Sequence, residues 1–242
     1  MDDAGYRVYG ADPDVLRWAE AAARVTDTLD LTPDRHGGTW CAGVDALPNA
    51  PDGSVEGVPL TGPWAADIDA GGRWHRAQVS VVHPGYPRQD PDESDAAHRF
   101  RRDRDAAHMD GLLPEGPKRR RHLREPHAFI LGLPLGQVLS APLVVWPGSH
   151  RIMRKAFQKA FEGLAPESYG EADVTEVYQA SRREVFDRCP RTPVPLRAGE
   201  SVVMHRMLIH GVAPWQGPPV AGGRAVAYFR PLTDPGDWLS AA

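Results

Sequence analysis

The stretch from Ala128 to Gly148, AFILGLPLGQVLSAPLVVWPG, carries no charged residue. A run of that length either crosses a bilayer as a helix or lies in a protein core. Pro134, Pro142 and Pro147 would break a helix, Gly136 would weaken one, and Gln137 and Ser140 would sit mid-bilayer. The sequence therefore predicts two buried strands, 128–133 and 138–146, joined by a turn, and no membrane span. The 24 glycines and 24 prolines have no period along the 242 residues, so the chain is expected to turn often rather than form long regular elements.

Other segments follow the same logic. Ala77, Val79 and Val81 alternate with Gln78 and Ser80, the period of a half-buried strand. More strands are expected in 192–215 and 222–232. Residues 13–30 repeat apolar side chains near every 3.6 positions behind Pro13, which predicts an amphipathic helix. A second helical region is expected over 152–188, interrupted near Pro166 to Gly170. Residues 88–107 are highly charged and read as a solvated loop or short helix, and 111–125 as a basic loop. Parallel βαβ alternation, GxGxxG and phosphate-loop motifs are missing, as is GxSxG. The expected fold is mainly β with flanking helices, a jelly roll or cupin-like double-stranded β-helix. One domain, 1–242, is expected, with its core at about 75–232, an N-terminal helix and loops at 1–72, and a helical insertion at 152–190.

A net charge of −4 argues against a dedicated nucleic-acid binder. Cys41 and Cys189 form no CxxC and read as reduced thiols. The acidic start, MDDAGYRVYGADPD, has the wrong chemistry for a signal peptide, so a cytoplasmic protein is expected.

The chemistry concentrates in His108-Met109-Asp110. On extended chain, residues i and i+2 share a face, so one imidazole and one carboxylate can converge on a metal ion. His210, ending the apolar run SVVMHRMLIH before Gly211, is the best third ligand. Two imidazoles and one carboxylate on one side of a metal form the facial triad of non-haem Fe(II) oxygenases. Arg224 opens an otherwise apolar strand, where a guanidinium needs a carboxylate partner, either a bound ligand or a distant acid.

HMDG (108–111), PLVVWPGSH (142–150), AGESVVMHRMLIHG (198–211) and GGRAVAYFR (222–230), taken in order, resemble the phytanoyl-CoA dioxygenase-like branch of the Fe(II)/2-oxoglutarate-dependent dioxygenases. The likeness covers about residues 75–232. It implies Fe(II) held by His108, Asp110 and His210, and 2-oxoglutarate as cosubstrate with Arg224 on its distal carboxylate. Oxidation of a small molecule would be coupled to decarboxylation to succinate. An intact Asp110 implies hydroxylation, desaturation or another oxidation rather than halogenation, because related halogenases carry a small residue there.

Other residues carry two readings each. His205 is the alternative distal ligand and Arg230 the alternative clamp. His150 is expected to be structural. Gln78 and Ser80 either line the cavity or face solvent. Trp40, Trp146 and Trp215 are expected in the core or a pocket wall. The basic runs 99–104 and 118–124 either form a mouth for an anionic substrate or are solvated faces; nucleic acid is not expected. A metal-binding jelly roll without oxygenase chemistry, such as a zinc hydrolase, isomerase or ligand sensor, stays open as the alternative, and the sequence leaves oligomeric state open.

Overall fold

The computed structural model describes residues 3–240. The order is β1 (Tyr6–Tyr9), α1 (Pro13–Thr26), β2 (Trp40–Cys41), β3 (Gln78–Val82), α2 (Asp95–Asp103), β4 (Leu112–Glu115), β5 (Arg120–Leu123), β6 (Phe129–Pro134), β7 (Leu143–Val145), α3 (Ser149–Ala160), α4 (Thr175–Arg188), β8 (Thr192–Val194), β9 (Ser201–His205), β10 (His210–Val212), β11 (Arg224–Phe229) and α5 (Pro235–Leu239). Short 3₁₀ turns cover Pro63–Ala66 and Pro166–Glu171.

Every strand pair is antiparallel. The large sheet runs β1-β9-β6-β11-β3-β2 and the small one β10-β7-β8. Ile130, Val202 and Met204 of the large sheet pack on Leu143, Val145 and Val194 of the small one, so the two sheets face each other. The chain passes from large to small sheet between β6 and β7, and again between β9 and β10. This is jelly-roll connectivity. The uncharged run is thus two strands in different sheets, and Pro142 ends the turn between them just before Leu143.

Helices cover both outer faces. α1 packs Val15, Trp18, Ala19 and Ala22 against Leu131, Leu133, Ala227 and Phe229 of the large sheet. The Asp12 carboxylate caps its N-terminus, accepting from the N–H groups of Asp14 and Val15. Trp18 is fully buried, and its indole N–H donates to the Gly53 carbonyl at 2.8 Å. Burial of a side chain that size contributes on the order of 2–3 kcal/mol. On the other side α3, α4 and α5 bury Met153, Phe157, Tyr178, Val185 and Trp238 against Val144 and Trp146.

Three sequence expectations are revised. Residues 111–125 are not a loop: β4 and β5 form a hairpin whose turn uses Gly116 at φ 64° and Arg119 at φ 50°. Its prolines and charges hid the strand pattern. The first 72 residues are not only helix and loops either, since β1 pairs with β9 and β2 with β3 at the two edges of the large sheet. α1 stops at Thr26, and turn hydrogen bonds such as Thr28 N–H to Val25 O follow it. The charged segment 88–107 holds the short helix α2, none of whose residues is buried. Among the described residues no helix is long and apolar enough to cross a membrane.

Candidate metal centre

Backbone pairing assembles the site. His108 N–H donates to His210 O at 2.8 Å and His210 N–H to His108 O at 2.9 Å, so the His108 segment adds an edge to β10. β10 is fixed on its other side, where His210 lies opposite Val145. Gly211 allows this approach. Its φ is not in the left-handed region, but a Cβ there would collide with the carbonyl oxygen of Asp105. Gly211 is thus needed for a close approach of two backbone segments.

His108, Asp110 and His210 each offer a ligand atom, all within 4.8 Å of one another. His108 Nε2 lies 3.2 Å from Asp110 Oδ1 and His210 Nε2 lies 3.7 Å from Asp110 Oδ2. The other ring nitrogens are engaged: His108 Nδ1 with Ala106 O and His210 Nδ1 with Leu208 O, both at 2.9 Å. A carbonyl only accepts, so each Nδ1 carries the proton and each Nε2 presents its lone pair to the centre. This is how metal-binding histidines are commonly oriented. Two Nε2 lone pairs and a carboxylate converge on one point, a donor set that fits a divalent transition metal with positions left open opposite.

The charges agree. Burial pushes His210 down to about 4, so its imidazole is neutral at pH 7. Burial also opposes charge on His108, but without a metal its Nε2 can hold a second proton against Asp110, whose hydrogen bond and negative charge raise that pKa; a bound metal would take that proton's place. Burial alone would raise Asp110; the neighbouring imidazoles and Arg230 overcome it and hold the carboxyl well below its usual range. Arg230 Nη1 donates to Asp110 Oδ2 at 3.1 Å, and its Nη2 donates to Gln78 Oε1.

The triad opens into a cavity of about 320 Å³. Gln78 and Ser80 line it, as does Trp40, whose indole N–H donates to Ser80 Oγ at 2.9 Å. Tyr228 enters from β11 and Arg230 from just beyond its end. Arg224 shares their alternating face, lies opposite Val82 and is 4 % exposed. It does not line this cavity; it borders a separate groove at the start of β11. Its guanidinium has no hydrogen-bond or ion-pair partner among the described residues.

The remaining candidates lie elsewhere. His205 packs beside His150, ring centroids 4.9 Å apart, away from the triad. Burial, with Arg206 and His150 adding to it, pushes His205 down to about 3. His150 is buried in the first turn of α3. Trp146 is core and Trp215 packs beside Val82 and Tyr86. The basic runs are partly neutralised in place: Arg120 by Asp173 and Glu176, Arg124 by Glu115, Arg101 by Glu93, Arg102 by Asp103. Sequence reasoning did not single out Arg35, Leu113 and Glu125, which also line the cavity; they come from loop, hairpin and connection, where periodicity carries no signal.

No protein-family model matches the chain, and no curated protein matches it. Solved structures do resemble it in outline. The non-heme alpha-ketoglutarate-dependent carbocyclase SnoK from nogalamycin biosynthesis aligns over 94% of this chain and 79% of its own, with 14% identity and a TM-score of 0.48. The epimerase SnoN, in complex with Fe3+, alpha-ketoglutarate and nogalamycin RO, covers 99% and 86%, with 14% identity and a TM-score of 0.46. EctD from S. alaskensis, with 2-oxoglutarate and 5-hydroxyectoine, covers 95% and 72%, with 19% identity and a TM-score of 0.43.

Proposed function

We propose that the protein is an Fe(II)- and 2-oxoglutarate-dependent oxygenase that oxidises a small molecule, with hydroxylation the expected outcome. The carrying observation is the convergence of two Nε2 atoms and the Asp110 carboxylate while both Nδ1 protons are held by backbone carbonyls. His108, Asp110 and His210 would hold the metal. Bound Fe(II) with 2-oxoglutarate supplies oxidation by O₂ coupled to release of succinate and CO₂.

The chain's own residues supply binding and orientation. Arg224 would take the distal carboxylate of 2-oxoglutarate only by turning from the groove it borders toward the triad's cavity; its buried guanidinium has no acid partner among the described residues. Arg230 is less suited, since Asp110 and Gln78 already use its N–H groups. It would instead keep the Asp110 carboxylate turned toward the two imidazoles. Gln78, Ser80 and Tyr228 would position substrate from the cavity wall.

The test is succinate formation from 2-oxoglutarate by protein reconstituted anaerobically with Fe(II), then exposed to air. The wild type should form succinate and His108→Ala should not. Tightly held zinc with no affinity for 2-oxoglutarate would instead favour a hydrolase or sensor.

A further inference from the structure

A second hollow of about 400 Å³ adjoins the triad, sharing His108, Asp110 and Arg230 with the first. Four guanidinium groups line it, Arg35, Arg101, Arg121 and Arg230, against the carboxylates of Asp110 and Glu125. Three pairs close by involve four of these six groups. Arg101 pairs with Glu93, Arg230 with Asp110 at 3.1 Å, and Glu125 with His127 at 3.4 Å. Arg35 and Arg121 have no carboxylate among the described residues. Arg121 donates to the Leu112 carbonyl at 2.8 Å and lies 5.7 Å from the Tyr178 ring centroid. Arg35 is exposed and hangs 5.6 Å from the ring centroid of Trp40, the indole that walls the triad's cavity. A metal in the triad would neutralise Asp110 and make the hollow more cationic still.

The rim has a second character. Val44 is 65% exposed and Leu113 is 42% exposed, and both border the triad's cavity. Leu232, 65% exposed, joins Val44 around the adjoining opening. Exposed apolar side chains gathered at the mouth of a cavity mark a surface that meets an apolar ligand. A cationic wall beside that rim selects against cations, and a neutral ligand would leave Arg35 merely hydrated. An anion gains a planar fork of donors from each guanidinium.

We infer that the substrate is an amphipathic anion, a carboxylate or phosphate ester on an apolar body, with its anionic group at Arg35 and Arg121 and its body against Trp40, Leu113 and Val44. This assignment rests on the metal-centre reading given under Proposed function. Arg35 and Arg121 act as specificity-determining residues.

The experiment uses the full chain with phenylacetate, phenyl phosphate and benzyl alcohol as probes. Affinities are measured by calorimetry in metal-free protein, and Mn(II) is then added so that broadening of the aromatic protons reports nearness to the triad. Both or one of the anions should bind about tenfold tighter than benzyl alcohol, and Arg35→Gln should remove most of that preference. The tighter anion distinguishes carboxylate from phosphate ester. Replacing exposed Arg35 spares the core, and loss in that variant also separates this seat from Arg224. Equal binding of benzyl alcohol, no binding of either anion, or unchanged anion affinity in Arg35→Gln would overturn the inference. Mn(II) that fails to bind would instead sink the metal reading, and the calorimetric comparison would still decide the hollow's preference.

Discussion

Asp105 closes its side chain on Arg191 with two hydrogen bonds of 2.7 Å, while its own carbonyl oxygen accepts from Val212 N–H at 2.9 Å. One residue therefore ties the segment leading into His108 both to the chain before β8 and to the strand that carries His210. The two imidazoles meet because this tie brings their backbones side by side.

Asp105→Asn keeps the shape of the side chain and its tolerance of φ 54° but removes the charge. Asp105 is 2% exposed and Arg191 is 45% exposed, so the stranded guanidinium can still reach water. Loss of a fully buried pair would cost more; here about 2 kcal/mol is expected. Urea denaturation at pH 7 should show a lower midpoint with an unchanged slope.

Gly211→Ala should be worse for function than its size suggests. The added Cβ would press on the Asp105 carbonyl and push the His108 segment off β10. Overpacking of this kind costs about 1–3 kcal/mol. Mn(II) affinity measured by calorimetry should fall about tenfold or more, since displaced ligands bind as poorly as unsupported ones. Native Mn(II) affinity in Gly211→Ala would show that this contact does not set the ligand geometry.

Arg224→Gln and Arg230→Gln should part company. If Arg224 holds the distal carboxylate, its loss should weaken 2-oxoglutarate binding by about tenfold or more while leaving Mn(II) affinity unchanged. Arg230→Gln should alter Mn(II) affinity, because it frees the Asp110 carboxylate from its only guanidinium partner among the described residues. Reversed effects in titrations of the two variants would exchange their roles.

Metal-free protein should lose stability on mild acidification. His36 is buried and stacked on Trp40, and burial together with Arg101 pushes its pKa down to about 4 from 6.5. Between those values the unfolded chain binds a proton that the folded chain refuses, so stability falls as pH falls through this window. The penalty approaches roughly 3 kcal/mol at its acid end. His36 sits at φ 55°, which Asn tolerates, so His36→Asn isolates the titration. Denaturation midpoints at pH 7 and pH 5 should differ less in that variant than in the wild type.

The triad and the strands on either side were legible in the sequence because period-two burial and His-x-Asp geometry are local properties. His108 and Asp110 share a face by pleat alone, and Val79, Val81 and the uncharged run announced buried strands. β4 and β5 were hidden because Pro114, Glu115 and Arg120 break the apolar alternation, and their pairing depends on a turn through residues with positive φ. β1 was hidden because its exposed residues Arg7 and Val8 have no core period; only its pairing with β9 makes it a strand. The fate of the basic runs could not be read locally either. Arg120 finds Asp173 and Glu176 across a stretch of chain that no motif connects.

The hydrogen bonds that fix both imidazole tautomers have a practical consequence for anyone purifying the protein. They ready the donors for any divalent ion that prefers nitrogen and oxygen, and the general order of affinities places zinc and copper above ferrous iron. Under the proposed reading, material grown in ordinary medium should come off a column carrying zinc or copper and form no succinate. Chelation followed by anaerobic reloading would be the step that brings it to life.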